Sequence, residues 1–300
     1  MSNERAFTSG FVSIVGRPNV GKSTLLNALL GEKIAIISDK PQTTRNRILG
    51  IVNKPGAQIV FMDTPGIHKP IHRMNEHMVN TALRTYGEGD VILMIVEATT
   101  QPGAGDKFII ETLAHVKKPV FLLINKVDLV EKERLLPLIR EYSGSYPFAE
   151  IIPVSALRND LGDLVPSILK RLPAGPQYFP DDQLTDQPER FIVSELVREK
   201  IFELTKEEIP YSTAVVIEEM KEEPDIVRIH AVVYVERESQ KGILIGKGGA
   251  MLKKIGTLAR QDAEQLLGTK IFLKLYVKVM KDWREDERVL KTIGVITEGD

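Results

Sequence analysis

Residues 16–23 read Gly16-Arg17-Pro18-Asn19-Val20-Gly21-Lys22-Ser23. A Gly-x4-Gly-Lys-Ser loop set between a strand and a helix turns several backbone N–H groups onto a phosphate. The apolar run Phe11–Val15 ahead of the loop predicts the strand, and Ser23–Leu30 behind it predicts the helix, which Gly31 stops. A Cβ at Gly16 or Gly21 would block the close approach of the backbone to the ligand. Lys22 is expected to reach the β- and γ-phosphates, the Ser23 hydroxyl to hold Mg²⁺, and Thr24 to complete the phosphate-facing set. The loop implies a nucleotide site.

Working outward, short apolar runs alternate with helical segments through about residue 172. The runs are Phe11–Val15, Ile48–Val52, Ile59–Met62, Val91–Val96, Val120–Ile124 and Ile151–Val154. This alternation predicts an α/β domain over residues 1–172, a mostly parallel sheet with helices on both faces. In such sheets ligands bind beyond the carboxyl ends of the strands, and three further motifs fall there. Asp63-Thr64-Pro65-Gly66 ends the run Ile59–Met62; its carboxylate suits Mg²⁺ through water, and the Gly66 N–H suits a γ-phosphate. Asn125-Lys126-Val127-Asp128 ends Val120–Ile124, and the Asp128 carboxylate can accept two hydrogen bonds from a guanine edge that adenine does not offer. Ser155-Ala156-Leu157 follows Ile151–Val154 and supplies a base-side backbone contact. Any one tetrapeptide recurs by chance, but all four in order, each ending a predicted strand, specify GTP and its product GDP.

Between the loop and Asp63 lies Asp39-Lys40-Pro41-Gln42-Thr43-Thr44-Arg45, expected to close over the γ-phosphate as a switch. Thr44 is preferred to Thr43 as the hydroxyl that joins Ser23 and Asp63 around Mg²⁺. Lys22, Thr44 and Gly66 are therefore the candidate catalytic groups. Arg45 reads as a solvated switch charge rather than a transition-state finger. Ile67 follows Gly66 and has no hydrogen-bonding atom with which to orient water. His68, His72 and His77 read as solvent-exposed.

Composition narrows the class. The 300 residues suggest two domains. The formal net charge is only −1, which gives no whole-molecule preference for a polyanion. There is no cysteine, which excludes disulfides and thiolate chemistry and fits a reducing compartment. The start MSNERAFTSG has no secretory pattern, and the longest apolar run, Val91–Val96, is far short of the roughly 20 residues a bilayer requires. A cytoplasmic protein is expected. The stretch 173–188, with four prolines and several acidic residues, is expected to be an interdomain linker with no packed element.

After the linker the order changes. Phe191–Thr205 has helical spacing, Thr213–Met220 and Val227–Val235 read as a strand pair, and a short helix runs to Ile245. Then follow Gly246-Lys247-Gly248-Gly249, a helix from Ala250 to about Leu267 and the strand Ile271–Val279. The order α-β-β-α-α-β with Gly-x-x-Gly between the last two helices predicts an α+β KH-type RNA-binding domain over 189–300. Ile245 through Gly249 are the candidate RNA-contacting turn, with Lys253 and Lys254 on the helix behind it. Across 241–281, Lys241, Lys247, Lys253, Lys254, Arg260, Lys270, Lys274, Lys278 and Lys281 are opposed only by Asp262 and Glu264. The neutral average thus hides a basic face. In the last strand Ile271, Leu273, Leu275, Val277 and Val279 point inward, while Phe272 and Tyr276 alternate with lysines on the other face. Those two rings either stack on RNA or lie under a neighbouring segment. Trp283 reads as a packing anchor for a short helix Arg284–Leu290.

The four motifs, the Gln42-Thr43-Thr44-Arg45 switch, the apolar residue after Gly66 and the C-terminal Gly-x-x-Gly module together resemble the Era family of bacterial GTPases over nearly the whole chain. The resemblance implies a Ras-like GTPase domain followed by a KH domain of the second topological type. It also implies a role in maturing the small ribosomal subunit, through single-stranded RNA near the 3′ end of small-subunit ribosomal RNA. Some members associate peripherally with the membrane, and a monomer is expected. Asn19 resembles the asparagine that helps hold K⁺ in some relatives, so potassium is a further expected cofactor. Two rival readings are a membrane-associated regulator of cell division and an RNA-modifying GTPase.

Overall fold

Alternating strands and helices build the first of two units in the computed structural model, which describes residues 6–38, 40, 43–66, 73–292 and 295. The order is β1 (Thr8–Gly16), α1 (Lys22–Leu30), β2 (Ile48–Lys54), β3 (Ala57–Asp63), α2 (Arg73–Glu88), β4 (Val91–Glu97) and α3 (Ala104–Leu113). It continues with β5 (Val120–Asn125), α4 (Leu135–Ser145), β6 (Glu150–Pro153) and α5 (Leu164–Leu169). The sheet runs β2-β3-β1-β4-β5-β6. All neighbours are parallel except β2, which forms an antiparallel hairpin with β3. β4 and β5 are almost continuously buried, as expected for parallel strands covered on both faces. Val15, Ile92, Met94, Ile124 and their neighbours pack under Tyr86 of α2, Ile109 of α3 and Tyr142 of α4. α1 lies over β2 and β3, so closely that a Cβ at Gly50 would stand 2.4 Å from a Leu26 methyl. Because β1 is flanked by β3 on one side and β4 on the other, the chain end at Gly16 opens into the crevice where the strand order reverses.

The stretch from Pro173 onward corrects an expectation. It holds no helix or long strand, yet it packs as a strap on the first unit through Asp186. Ser9 N–H donates to Pro173 O at 3.2 Å and Gly175 N–H to Phe7 O at 3.0 Å. Further on, the buried side chain of Gln58 accepts from the N–H groups of Tyr178 and Phe179 at 2.9 and 3.0 Å and donates to Phe179 O at 2.8 Å. Along the open edge of β2, Ile51 N–H donates to Leu184 O at 2.8 Å and Leu49 N–H to Asp186 Oδ1 at 3.1 Å. The prolines forbid regular elements but not pairing with a sheet edge, which is how edge strands are protected.

The second unit comprises residues 187–300 with the described parts of 33–40 and 70–77. Its elements are α6 (Glu189–Leu204), β7 (Ala214–Glu223), β8 (Ile226–Val235), α7 (Glu238–Ile245), α8 (Ala250–Leu267), β9 (Ile271–Val279) and α9 (Glu287–Thr292). The sheet is β7-β8-β9, with β7 antiparallel and β9 parallel to β8. The α-β-β-α-α-β order is as expected, and Ile255, Ala259 and Ala263 of α8 join Ile229, Val233 and Ile271 in one core. Residues 192–202 of α6 are all buried, polar ones included. Arg198 and Glu195 form a two-pronged pair at 2.7 and 2.5 Å, while Lys33 joins Glu199 at 2.5 Å and Asp262 at 3.0 Å. Trp283 is fully buried and its Nε1–H donates to Ser212 O at 3.1 Å, a packing anchor as expected. The last helix starts later than Arg284, because that side chain is held by Glu236 at 2.9 and 2.5 Å and Asp286 caps the helix through Arg288 N–H at 2.8 Å.

Candidate functional site

The phosphate loop owes its shape to its two glycines. Gly21 takes φ +99°, which an L side chain rarely adopts, and a Cβ there would stand 2.2 Å from Asn125 Nδ2. At Gly16 a Cβ would meet Ile95 O at 2.6 Å. Asn19 also has positive φ, 65°, a conformation that asparagine tolerates better than most residues. Lys22 Nζ donates to the carbonyls of Gly16 at 3.2 Å and Arg17 at 3.0 Å, so its charge sits inside the loop it closes. The Arg17 side chain turns outward to Asp106 Oδ1 of α3 at 2.8 Å and Thr100 Oγ1 at 3.2 Å, tying the loop to the segment after β4. Gly66, at the end of Asp63-Thr64-Pro65-Gly66, presses on the loop: a Cβ there would lie 2.8 Å from Pro18 Cα. Thr64 fixes that turn by donating to Ile14 O at 2.9 Å. Val20 and Pro65 are buried, and Thr24 is half-buried in the first turn of α1.

Three oxygens converge beside Lys22. Ser23 Oγ lies 2.8 Å from Asp63 Oδ2 and 2.8 Å from Thr44 Oγ1. Asp63 is fully buried, and its other oxygen, Oδ1, has no hydrogen-bond partner among the described residues. A buried carboxylate oxygen without a donor is costly unless a cation completes it. Burial pushes the Asp63 pKa up to about 6, against the pull of the Lys22 charge and of the hydrogen bonds from Ser23, Thr64 and Thr44. Burial likewise lowers Lys22 to about 8, with Asp63 opposing. Each charge is held in a place that suits an added partner of opposite sign, an anion for Lys22 and a hard cation for Asp63. Two hydroxyls and a carboxylate are the oxygen donors Mg²⁺ prefers. Thr44, not Thr43, reaches Ser23. Arg45 corrects an expectation: it is 6% exposed, a buried group rather than a solvated charge. Asp39, Pro41, Gln42, Ile67, His68 and His72 lie outside the described residues, and His77 is half-buried on α2.

Asn125 joins three motifs. Its Nδ2 donates to Val20 O at 2.8 Å and its Oδ1 accepts from Ala156 N–H at 3.0 Å, so the phosphate loop, β5 and the loop after β6 are locked together. Lys126 takes φ 62° and its ammonium meets Glu97 at 2.6 Å. Ser155 Oγ donates to Asp128 Oδ1 at 2.7 Å, and Arg158 lies 3.5 Å from Oδ2. The Asp128 side chain is 8% exposed, which makes it a buried acceptor aimed by its neighbours. Within Ser155-Ala156-Leu157 the Ala156 N–H is occupied by Asn125, whereas Leu157, 78% exposed, makes no backbone hydrogen bond among the described residues.

In the second unit the Gly246–Gly249 turn also depends on its glycines. Gly248 and Gly249 have φ of +61° and +80°, and among the described residues nothing lies within 4 Å of where their Cβ atoms would be. Gly246 is the packed corner, with Met251 2.8 Å from a Cβ. Lys247 is exposed at the head of the turn and Ile245 is half-buried behind it. From Gly249 a groove of about 380 Å³ runs between α8 and β9, lined by Leu252, Lys253, Gly256, Thr257, Arg260 and the stretch Leu273–Leu275. Lys253 is thus on the groove, while Lys254 is exposed but not among its lining residues. β9 is an edge strand, so one row of its backbone N–H and C=O groups faces away from β8. Phe272 and Tyr276 are 42% and 40% exposed, so among the described residues no segment buries them.

Sequence reading missed the groove's far wall and Arg17's anchor. Gly256 in the middle of α8 was the available signal, since such a glycine costs about 1 kcal/mol against alanine and asks for a reason. Nothing local marks Asp106 as a partner of Arg17; its carboxylate also accepts from Gly103 N–H at 2.9 Å, an ordinary helix-start pattern.

A phosphate loop at the head of β1, an acid and two hydroxyls beside its lysine and a buried acceptor beyond β5 define a GTPase of the P-loop class. Here it is joined to a KH domain. Residues 11–126 match the family model described as 50S ribosome-binding GTPase, and residues 208–284 match the KH domain model. GTPase Era of Geobacter metallireducens is 59% identical over 97% of this chain and 99% of its own length. GTPase Era of Lacticaseibacillus paracasei is 55% identical over 96% and 97%. A crystal structure of Era with MgGDPNP and nucleotides 1506–1542 of 16S ribosomal RNA superposes with a TM-score of 0.94 at 44% identity, covering 97% of this chain and all of that one. A variant of Aquifex aeolicus Era bound to GDP and aluminium fluoride gives 0.94 at 45%, with the same coverage. The chain belongs to the Era family of GTPases.

Proposed function

We propose that this GTPase is a GTP-controlled RNA-binding switch that assists maturation of the small ribosomal subunit. In this reading it engages single-stranded RNA near the 3′ end of 16S ribosomal RNA, acting as a monomer in the cytoplasm. The observation that carries the RNA half is the Gly248-Gly249 turn, left open on one side and leading into a groove with Lys253 and Arg260 on its wall. The Era structure carrying 16S nucleotides 1506–1542 supports the same reading.

In the nucleotide site, Lys22 and the loop N–H groups bind the phosphates, and the Gly66 N–H meets the γ-phosphate. Ser23 and Thr44 would hold Mg²⁺ directly and Asp63 would hold it through water. When bound, Mg²⁺ neutralises charge on the β- and γ-oxygens. Asp128 reads the guanine edge and Leu157 N–H the base oxygen. Ile67 cannot orient the attacking water, so another group must supply the charge that tightens the transition state. Asn19, held at φ 65° at the loop's outer bend, is the proposed potassium-holding residue. Hydrolysis is then faster in potassium than in sodium chloride, and Asn19→Ala removes the difference; equal wild-type rates in the two salts remove potassium from the reading.

The base reading is tested by Asp128→Asn. An amide donor suits the 2-oxo group of xanthine, so the variant should prefer xanthosine triphosphate to GTP, whereas the wild type should prefer GTP to both xanthosine triphosphate and ATP, to ATP by a factor of order 10⁴. Competition binding with the three triphosphates measures it, and a variant that still prefers GTP removes Asp128 from that role.

A further inference from the structure

The outward face of the KH sheet takes no part in the groove reading. Ile271, Leu273 and Leu275 of β9 turn into the core, while Phe272 and Tyr276 stand outward and half-exposed. Each ring carries a cation: the Arg228 guanidinium lies 5.3 Å from the Phe272 centroid, and Lys274 Nζ lies 5.0 Å from that of Tyr276. His230 meets Tyr276 edge-on at 6.5 Å. The carboxylates of this face sit on the far strand β7, where Glu223 holds Arg228 at 3.0 Å, Glu219 holds His230 at 3.0 Å and Glu218 holds Lys278 at 2.8 Å. Lys274 has no ion pair among the described residues. The β9 half of the face is therefore aromatic and cationic, and the β7 half carries the acids.

This half is continuous with the groove. Lys274 lies between Phe272 and Tyr276 in sequence, yet it lines the groove together with Leu273 and Leu275. A strand of RNA leaving the groove over the β9 edge therefore arrives on the two rings. We infer that the outward face of β9 is a second contact for the same single-stranded RNA, taking bases that flank those in the groove. Phe272 and Tyr276 stack on the bases, and Arg228 and Lys274 meet the phosphates. Stacking on aromatic rings beside cations is how single strands are held outside a sequence-reading pocket. A partner helix would need a contiguous apolar strip, and here lysine interrupts the rings. The inference rests on the RNA-binding reading above.

The test compares the full chain with Phe272→Ala/Tyr276→Ala, after matched thermal melts and GTP hydrolysis show both intact. Two synthetic RNAs from the 16S 3′ end are titrated, one of about four nucleotides, the length a KH turn clamps, and one of roughly twelve. With base–aromatic stacking at about 1–3 kcal/mol per base, the double variant should bind the long RNA at least ~10-fold more weakly. It should bind the short RNA as the wild type does. A 2-aminopurine flanking the groove bases should be quenched by wild type and not by the variant. Equal affinities for the long RNA, or equal losses on both RNAs, overturn the second contact. Wild-type protein that binds neither RNA overturns the RNA-binding reading and this inference with it.

Discussion

Asp63 is fully buried, with Ser23 on one oxygen and, among the described residues, no hydrogen-bond donor on the other. Its folded pKa of about 6 lies above the ordinary 3.8, so the nucleotide-free protein holds this proton more tightly than the unfolded chain does. Stability from this group is fully present below the unfolded value and is lost as pH rises through 6. The difference corresponds to roughly 3 kcal/mol. Lys22 is depressed from 10.5 to about 8, so its contribution is present above 10.5 and lost as pH falls through 8, outside that window. Asp63→Asn should therefore flatten the pH dependence between 4 and 6 and raise the melting temperature of the nucleotide-free protein at pH 7, while Mg²⁺-dependent nucleotide affinity falls. Wild-type affinity for Mg²⁺·GDP should rise with pH through 6. Melting curves from pH 4 to 8 check it, and identical slopes in the two proteins would show that Asp63 is not the titrating group. At this scale the phosphate loop and Asp63 were legible because the chemistry requires particular side chains at fixed spacing. Arg45's burial was not, because it depends on what packs around the switch and not on its neighbours in sequence.

Elements of regular period were read to within a few residues, and the strap was not. Four prolines marked 173–188 correctly as lacking helix and strand, but the partners of this stretch lie more than a hundred residues away on β1, β2 and β3. Gln58 decides this. Its buried amide satisfies Tyr178 and Phe179, and it also donates to Asn53 Oδ1 at 2.8 Å. Gln58→Leu keeps the size but leaves the N–H groups of Tyr178 and Phe179 without their acceptor, while Phe179 O keeps the Gln177 Nε2 donor at 2.9 Å. Each unmet buried group costs about 1–3 kcal/mol, so a loss of roughly 3 kcal/mol is expected, with early proteolytic cutting between 173 and 186. Asn53→Ala removes one exposed bond to Asp181 O and one part-buried bond from Gln58, whose amide keeps Phe179 O, and should cost about 1 kcal/mol, less than Gln58→Leu. Urea melts with limited proteolysis distinguish the two. A Gln58→Leu protein as stable and as resistant as wild type would mean that the strap is held by its apolar contacts alone. The groove wall on β9 escaped reading for a related reason: which strand lies at a sheet edge is set by pairing across the unit.

On the scale of the whole molecule, a net charge of −1 conceals a division of labour. The nucleotide groups Lys22, Asp63 and Asp128 belong to the first unit, and the Gly246–Gly249 turn with its basic helix belongs to the second. Two chemistries in two units can be removed separately. Lys247→Asp/Gly248→Asp places two carboxylates where RNA phosphates should pass. Aspartate tolerates the φ of +61° at Gly248 better than most residues, and among the described residues no atom lies within 4 Å of its Cβ, so the fold should hold. RNA affinity should fall by about 10² or more, and the dependence of log affinity on log salt should become shallower by about one to two, since lost phosphate contacts release fewer counterions. Basal hydrolysis and GTP affinity should stay within about twofold, because no group of the nucleotide site is touched. Filter binding of a 16S 3′-end RNA at several salt concentrations, paired with phosphate release, measures both halves. Loss of hydrolysis alongside RNA binding would show that the turn also supports the nucleotide site. Wild-type RNA affinity in the variant would reduce the turn to a structural corner and move the RNA contact elsewhere on the basic face.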